Sequence, residues 1–166
     1  AARTLGQLCF ACFLLAVFRN IARLLAVRHH HELIVPAWAV LGEYESSVSV
    51  DQQYLKGEIR EQVRPGYKLH QITASNGTTV REYVSPDGKV FGVAWSGQFA
   101  PNMQQLLGSY FPELDQAARS QVRRRGGPLV VRTDKLVLVS AGHMRYFHGH
   151  AYVPSLLPNN VSAEVV

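Results

Sequence analysis

The stretch Thr79–Phe111 constrains this chain more than any other. Thr79–Val84 carries β-branched and aromatic residues suited to a strand, and Ser85-Pro86-Asp87-Gly88 ends it with a turn in which Pro fixes φ and Gly accepts a positive one. Lys89–Trp95 is a second strand, in which Val90, Gly92 and Ala94 alternate with Phe91, Val93 and Trp95. A strand apolar on both sides is a central one, or one covered on both faces. Ser96–Pro101 then turns the chain out of the sheet, and a helix begins near Asn102. Met103, Leu106, Leu107 and Tyr110 fall at the spacing of one buried helical stripe. A chain holding this segment must build a sheet with a helix seated against it.

The flanks extend the pattern. Tyr67–Ala74 reads as a strand, and Asn76-Gly77 is a hairpin signal because both residues of a two-residue turn must accept positive φ. The first half is thus a three-stranded antiparallel meander. Pro112 breaks or restarts the helix, and Glu113–Val122 forms a second helical segment that ends at Arg123–Arg125 and the Gly126-Gly127 pair. Leu129–Arg132 and Leu136–Ala141 form a hairpin around Thr133-Asp134. Met144–Val153 is a further strand, Pro154 and Pro158 end regular pairing, and Val161–Val166 is expected as a last edge strand. Before the meander, residues 40–66 read as an extended lead-in. Within it Gln52–Val63 is a candidate short helix with Asp51 as its N-cap. The expectation is an α+β fold: a meander, a helical segment packed on one face of the sheet, then two to four more strands. Residues 67–166 form the single domain.

The first 39 residues have a different character. Arg3 precedes the apolar run Leu5–Phe18, and Ala37-Trp38-Ala39 offers a small-residue cleavage site. These are the parts of a secretory signal, and the run is too short to span a membrane. Arg19, Asn20, Arg23, Arg28 and His29–His31 separate the run from that site, so a membrane-surface anchor over Ile21–Val27 is the alternative. Membrane contact is expected only through this leader if it stays uncleaved. Four of the 17 basic residues lie here against Glu32 alone, so the formal charge of +5 is largely the leader's. A nucleic-acid surface is therefore not expected of the rest. Cys9 and Cys12 also lie in the apolar run, leaving the body without a disulfide or a thiol nucleophile.

Chemistry-bearing residues are few. His148 and His150 stand two apart on a strand and share a face, with His143, Tyr146 or Asp134 as the candidate third metal ligand. No metal or cofactor is expected, and His143, His148 and His150 are the candidates should one bind. No catalytic set emerges: no Gly-x-Ser-x-Gly elbow is present. Arg81 and Glu82 alternate across their strand, and one of them is a candidate for a structural ion pair with Arg145. Trp95, at a strand end beside Gly97 and Phe99, is placed to line a groove for a ligand or partner, with Arg81, Glu82 and Arg145 as further candidates for such contacts.

Three segments resemble one known family: Val80-Arg81-Glu82-Tyr83-Val84-Ser85-Pro86-x-Gly88, then Val90-Phe91-x-Val93-x-Trp95-x-Gly97, then Pro101 with Leu106-Leu107-Gly108-x-Tyr110-Phe111. That family is bacterial domain of unknown function 2844. Gly142-x-Met144-Arg145-x-Phe147-x-Gly149-x-Ala151, the Pro154/Pro158 pair and the Ala39–Gly42 start are similar to it as well. The resemblance spans nearly all of residues 39–166 and implies an exported protein of proteobacterial type, periplasmic or secreted, with no assigned activity. The reading that follows is a non-catalytic binding or structural domain whose partner is an envelope protein or ligand. The alternative is a metal-assisted or acid/base enzyme using the C-terminal histidines.

Overall fold

A computed structural model of the chain describes residues 40–120 and 127–166. The leader, with its cysteines and the His29–His31 run, and the Arg123–Arg125 cluster lie outside the described residues. Helix α1 (Ser47–Leu55) is followed by strands β1 (Glu58–Arg64), β2 (Tyr67–Thr73), β3 (Thr79–Val84) and β4 (Val90–Gly97). Helix α2 (Met103–Leu107), a 3-10 turn and helix α3 (Phe111–Ser120) come next, then β5 (Leu129–Arg132), β6 (Val137–His143) and β7 (Tyr146–Tyr152). The strands form one open antiparallel sheet of seven in the order β1-β2-β3-β4-β7-β6-β5. The architecture is α+β, as the sequence pattern predicts, with β7 returning beside β4 to join the two halves.

The larger core lies between the sheet and the helices. Val80, Val84, Val90, Val93, Trp95, Leu138 and Ala151 meet Leu106, Leu107 and Leu114 there. The N-terminal stretch 40–66 is part of this structure and not an extended lead-in. Val40, Leu41 and Val48 are buried in the core, Glu58–Arg64 is an edge strand, and Asp51 lies inside α1 and not at its start. Lys56, at φ 48°, and Gly57 stop the helix earlier than expected. The misreading has a physical reason: α1 buries Ser47 and Asp51 beside Val48, so its inner face does not read as apolar. The helix after the Ser96–Pro101 turn forms as expected, with the Asn102 side chain accepting from the Gln104 and Gln105 amides. It tightens through the 3-10 turn and resumes at Phe111, so that Pro112 sits in the first turn, where a missing amide hydrogen costs nothing.

Two details of register shift side chains from where simple alternation puts them. The β2–β3 connection is a three-residue loop closed by the Ala74 amide donating to the Thr78 carbonyl at 2.8 Å, with Gly77 alone at positive φ (82°). A two-residue Asn76-Gly77 turn would have displaced the pairing by one residue and turned every side chain of β3 over relative to β2. In β4 a bulge opposite Tyr83 and Val84 interrupts the alternation. Val90, Val93 and Trp95 enter the helix-side core, while Phe91 and Ala94 join Tyr83 on the opposite face. Gly92 lies on that opposite face too, where an added Cβ would meet Val166.

The C-terminus corrects the last expectation. Val161–Val166 does not extend the sheet: it runs through a 3-10 turn at Ala163–Val165, and Val161, Val165 and Val166 pack on Tyr83, Phe91 and Ala94. That apolar surface exists because the bulge points Phe91 away from the helices. The segment covers only the part of the face near β3 and β4. The stretch over β7 and β6 keeps half-buried and exposed side chains.

Candidate functional site

The residues singled out from the sequence do not converge. Trp95 is 1 % exposed and lines no groove. Its partner in register is Gly149 of β7, whose missing side chain leaves the space the indole fills. Gly97 approaches Thr78, and Phe99 is exposed, held through its carbonyl by the Thr78 hydroxyl at 3.2 Å. Arg145 sits exposed in the β6–β7 turn at φ 68°. Arg81 and Glu82 occupy opposite faces of β3, and Glu82 makes no ion pair: neither carboxyl oxygen has a partner. The expected pairing with Arg145 is therefore absent.

The C-terminal histidines are arranged as strand alternation predicts, but not as a ligand set. His148 and His150 share the face opposite the helices with Tyr146 and Tyr152. The Tyr146 ring lies 5.1 Å from His148 and 5.7 Å from His143, tilted against each. Burial holds His150 below the usual imidazole pKa. Arg81 and Arg132 fall on the same side by register.

The strongest electrostatic tension is elsewhere. One row of paired residues crosses the helix-side face: Glu61, His70, Glu82, Val93, Ala151, Leu138 and Val131, from β1 to β5. Its β4–β5 end is apolar core, whereas its β1–β3 end is polar and lies on the side of the sheet that α1 packs against. Glu82 is 0 % exposed. Burial, with the Asp51 charge second, pushes its carboxyl well above the ordinary carboxylate range. Asp51 reaches inward from α1 and accepts from Gln105 Nε2 at 2.9 Å. Burial raises its pKa to about 6 against the opposing effect of that bond. His70 is 5 % exposed, with Nε2 3.0 Å from Glu45 Oε1 and Nδ1 without a partner. Lys68 binds both oxygens of Glu45 at 2.9 and 3.0 Å. Those bonds, more than the His70 contact, hold Glu45 below its ordinary pKa.

Buried polar atoms in native folds are paired in the great majority, so three unsatisfied atoms within one register pair call for a reason. Acid/base catalysis on a bound substrate is a poor one. The recess beside Asp51, Gln105 and Leu106 has a volume of only about 10 Å3, about that of a single water. Two wider concavities flank the Ser85–Gly88 turn. One, of about 240 Å3, is lined by Glu45, Lys68, Tyr67 and Arg64, and the other, of about 440 Å3, by Lys89, Leu157 and Asn160.

Sequence reasoning missed His70 altogether and took Asp51 for a cap. The available signal was the β2–β3 hairpin, since the correct loop length sets His70 directly opposite Glu82. Among the described residues no helix is long and apolar enough to cross a membrane. A family model described as "Protein of unknown function (DUF2844)" matches residues 37–166. No curated protein and no solved structure matches the chain.

Proposed function

The chain belongs to this family of unknown function, and we propose that it is an exported, envelope-facing domain that acts by binding an acidic partner protein and not by catalysis. One observation carries the reading. The C-terminal histidines line up with Tyr146 and Tyr152 along one strand face, flanked by Arg81 and Arg132. The positions that neighbouring strands place on that strip by register, including Ala94, Ser96, Val137 and Val139, carry no acid. A histidine base needs an acid or substrate held in a cleft, and the side chains of this strip are half-buried to exposed with no acid opposite them in register. Rigid aromatic rings beside arginine are instead the residue types that dominate contact surfaces. Arginines on the same face complement a partner segment rich in Asp and Glu. Export rests on the basic–apolar–small pattern of the leader.

A photo-crosslinking residue placed at Tyr146 or His148, with Arg60 of β1 as the control position, tests the proposal in cells. The expected result is one discrete adduct from the strip positions, in the envelope or periplasmic fraction. It should weaken with added salt and be lost in Arg81→Glu. Equal adducts from Arg60, or none from the strip, would overturn the binding surface. Retention of the protein in the cytoplasm would overturn the export.

A further inference from the structure

Apart from the strip, the cluster at the β1–β2 edge has the chemistry of a ligand set. Glu45, Glu61 and His70 each offer one donor atom, and these atoms lie within 4.8 Å of one another. They come from three elements: the loop before α1, the edge strand β1 and its neighbour β2, with Glu61 and His70 paired in register. An acidic cluster alone would mean little. Here its histidine is buried, with Nε2 turned to the Glu45 carboxylate and Nδ1 unpartnered. Directly behind it in register stands Glu82, fully buried, with both oxygens unpartnered on the same side of the sheet. A metal-bound imidazole characteristically donates its other ring N–H to a carboxylate, and such a partner orients the ring. The two orphaned groups are neighbours in register and not bonded to each other, and they are the residue types such an arrangement joins.

We propose that Glu45, Glu61 and His70 Nε2 bind one divalent transition cation, with Glu82 as a positioning residue that accepts from His70 Nδ1–H. One imidazole and two carboxylates suit Zn2+ or Mn2+ better than Ca2+, which takes oxygen ligands only. The Glu45 and His70 donors already stand 3.0 Å apart, close to the separation of two ligands on one tetrahedral ion. Glu61, within 4.8 Å of both and exposed on an edge strand, is free to adjust as the third. Three protein ligands leave a fourth position open. Glu45 also lines the concavity of about 240 Å3 beside Lys68, so an exogenous donor has room to approach. Lys68 is the internal competitor: its ammonium holds both Glu45 oxygens and must release at least one. It stands on the surface on a flexible stem, 43 % exposed, and is free to swing out.

The test is calorimetric titration of the full chain with Zn2+ alone after chelator treatment, with Ca2+ as the comparison ion. His29–His31 are replaced by Ala in every sample to remove a competing site. The expected result is one equivalent of Zn2+ per chain, no comparable Ca2+ uptake, and a rise in melting temperature. Glu61→Gln, an exposed change that leaves the core untouched, should weaken Zn2+ binding more than about tenfold. Lys68→Met should tighten it, and His148→Ala/His150→Ala should leave it unchanged. For Glu82 the readout is the visible spectrum of the Co2+-loaded protein. Glu82→Gln, which still accepts from Nδ1–H, should retain that spectrum, while Glu82→Leu should alter it and weaken binding. Absence of saturable Zn2+ uptake would overturn the site. So would uptake indifferent to Glu61→Gln, or uptake lost with His148 and His150. An unchanged spectrum in Glu82→Leu would overturn the positioning role.

Discussion

The two faces of the sheet solve the same problem with opposite chemistry. Away from the helices, the bulge in β4 brings Phe91 to a surface that Val161, Val165 and Val166 cover. The rest is left as a strip of Tyr and His in contact with solvent. On the helix side, α1 packs against the sheet and buries Asp51 while Glu82 lies fully buried on that face, both carboxyls raised in pKa by loss of water. The strip places polar groups where water satisfies them, so its residues are nearly free energetically. The helix side retains polar groups where water cannot reach, at a stability cost that packing elsewhere must offset. A costly feature demands an explanation more urgently than a cheap one. The buried pair His70–Glu82 is therefore the more informative site, although the exposed histidines are the more conspicuous in the sequence.

The largest effect that sharpens the contrast comes from the core that separates the faces. Trp95→Ala should destabilise the fold by about 3–5 kcal/mol, read as a shift in the urea midpoint with the slope unchanged. A loss under about 1 kcal/mol would mean the indole is not seated on Gly149 as described. Its complement, Gly149→Ala, forces a Cβ into the Trp95 ring and the Val139 carbonyl oxygen, and should cost about 1–3 kcal/mol.

Next comes the pH dependence of the helix side. The folded pKa of Asp51, about 6, lies above its ordinary 3.8, so the fold holds a proton that the unfolded chain releases across that window. For this group the fold is most favoured below pH 3.8, and the advantage disappears as pH rises to about 6. At pH 8 the ionised, half-satisfied carboxylate then costs about 3 kcal/mol. Asp51→Asn keeps an acceptor for Gln105 and removes the charge. It should raise stability at pH 8 by up to about 3 kcal/mol and flatten the profile between pH 4 and 7. Urea titrations across that range check it, with Glu82 as the other titrating group nearby, shifted in the same direction. The smallest effect belongs to the strip: His148→Ala/His150→Ala should change stability by no more than about 1 kcal/mol. A large loss there would mean the strip is packed and not open.

What the sequence disclosed follows the same division. Turns, elbow and helix were legible because Pro86, Gly88, Asn102 and Pro112 act locally, through φ restriction, capping and missing amides. The His148/His150 alternation was legible because it needs only the strand's period of two. The polar cluster was not, because it depends on a single residue of register in the Ala74–Thr78 loop and on a helix whose buried face is Ser47, Val48 and Asp51. The fate of Val161–Val166 was hidden as well, since its docking surface exists only once the bulge has turned Phe91 over.

The central claim is that Glu82 is kept at the expense of stability and not for it. Glu82→Leu, compared with the unaltered protein in urea at pH 7 without added metal, tests it most directly. Exchanging an unpartnered buried carboxyl for an apolar side chain of similar size should stabilise the fold by about 1–3 kcal/mol. If Glu82 instead belonged to a buried structural ion pair, the same change would strand its partner's charge and destabilise by about 3–5 kcal/mol. That result would contradict the account.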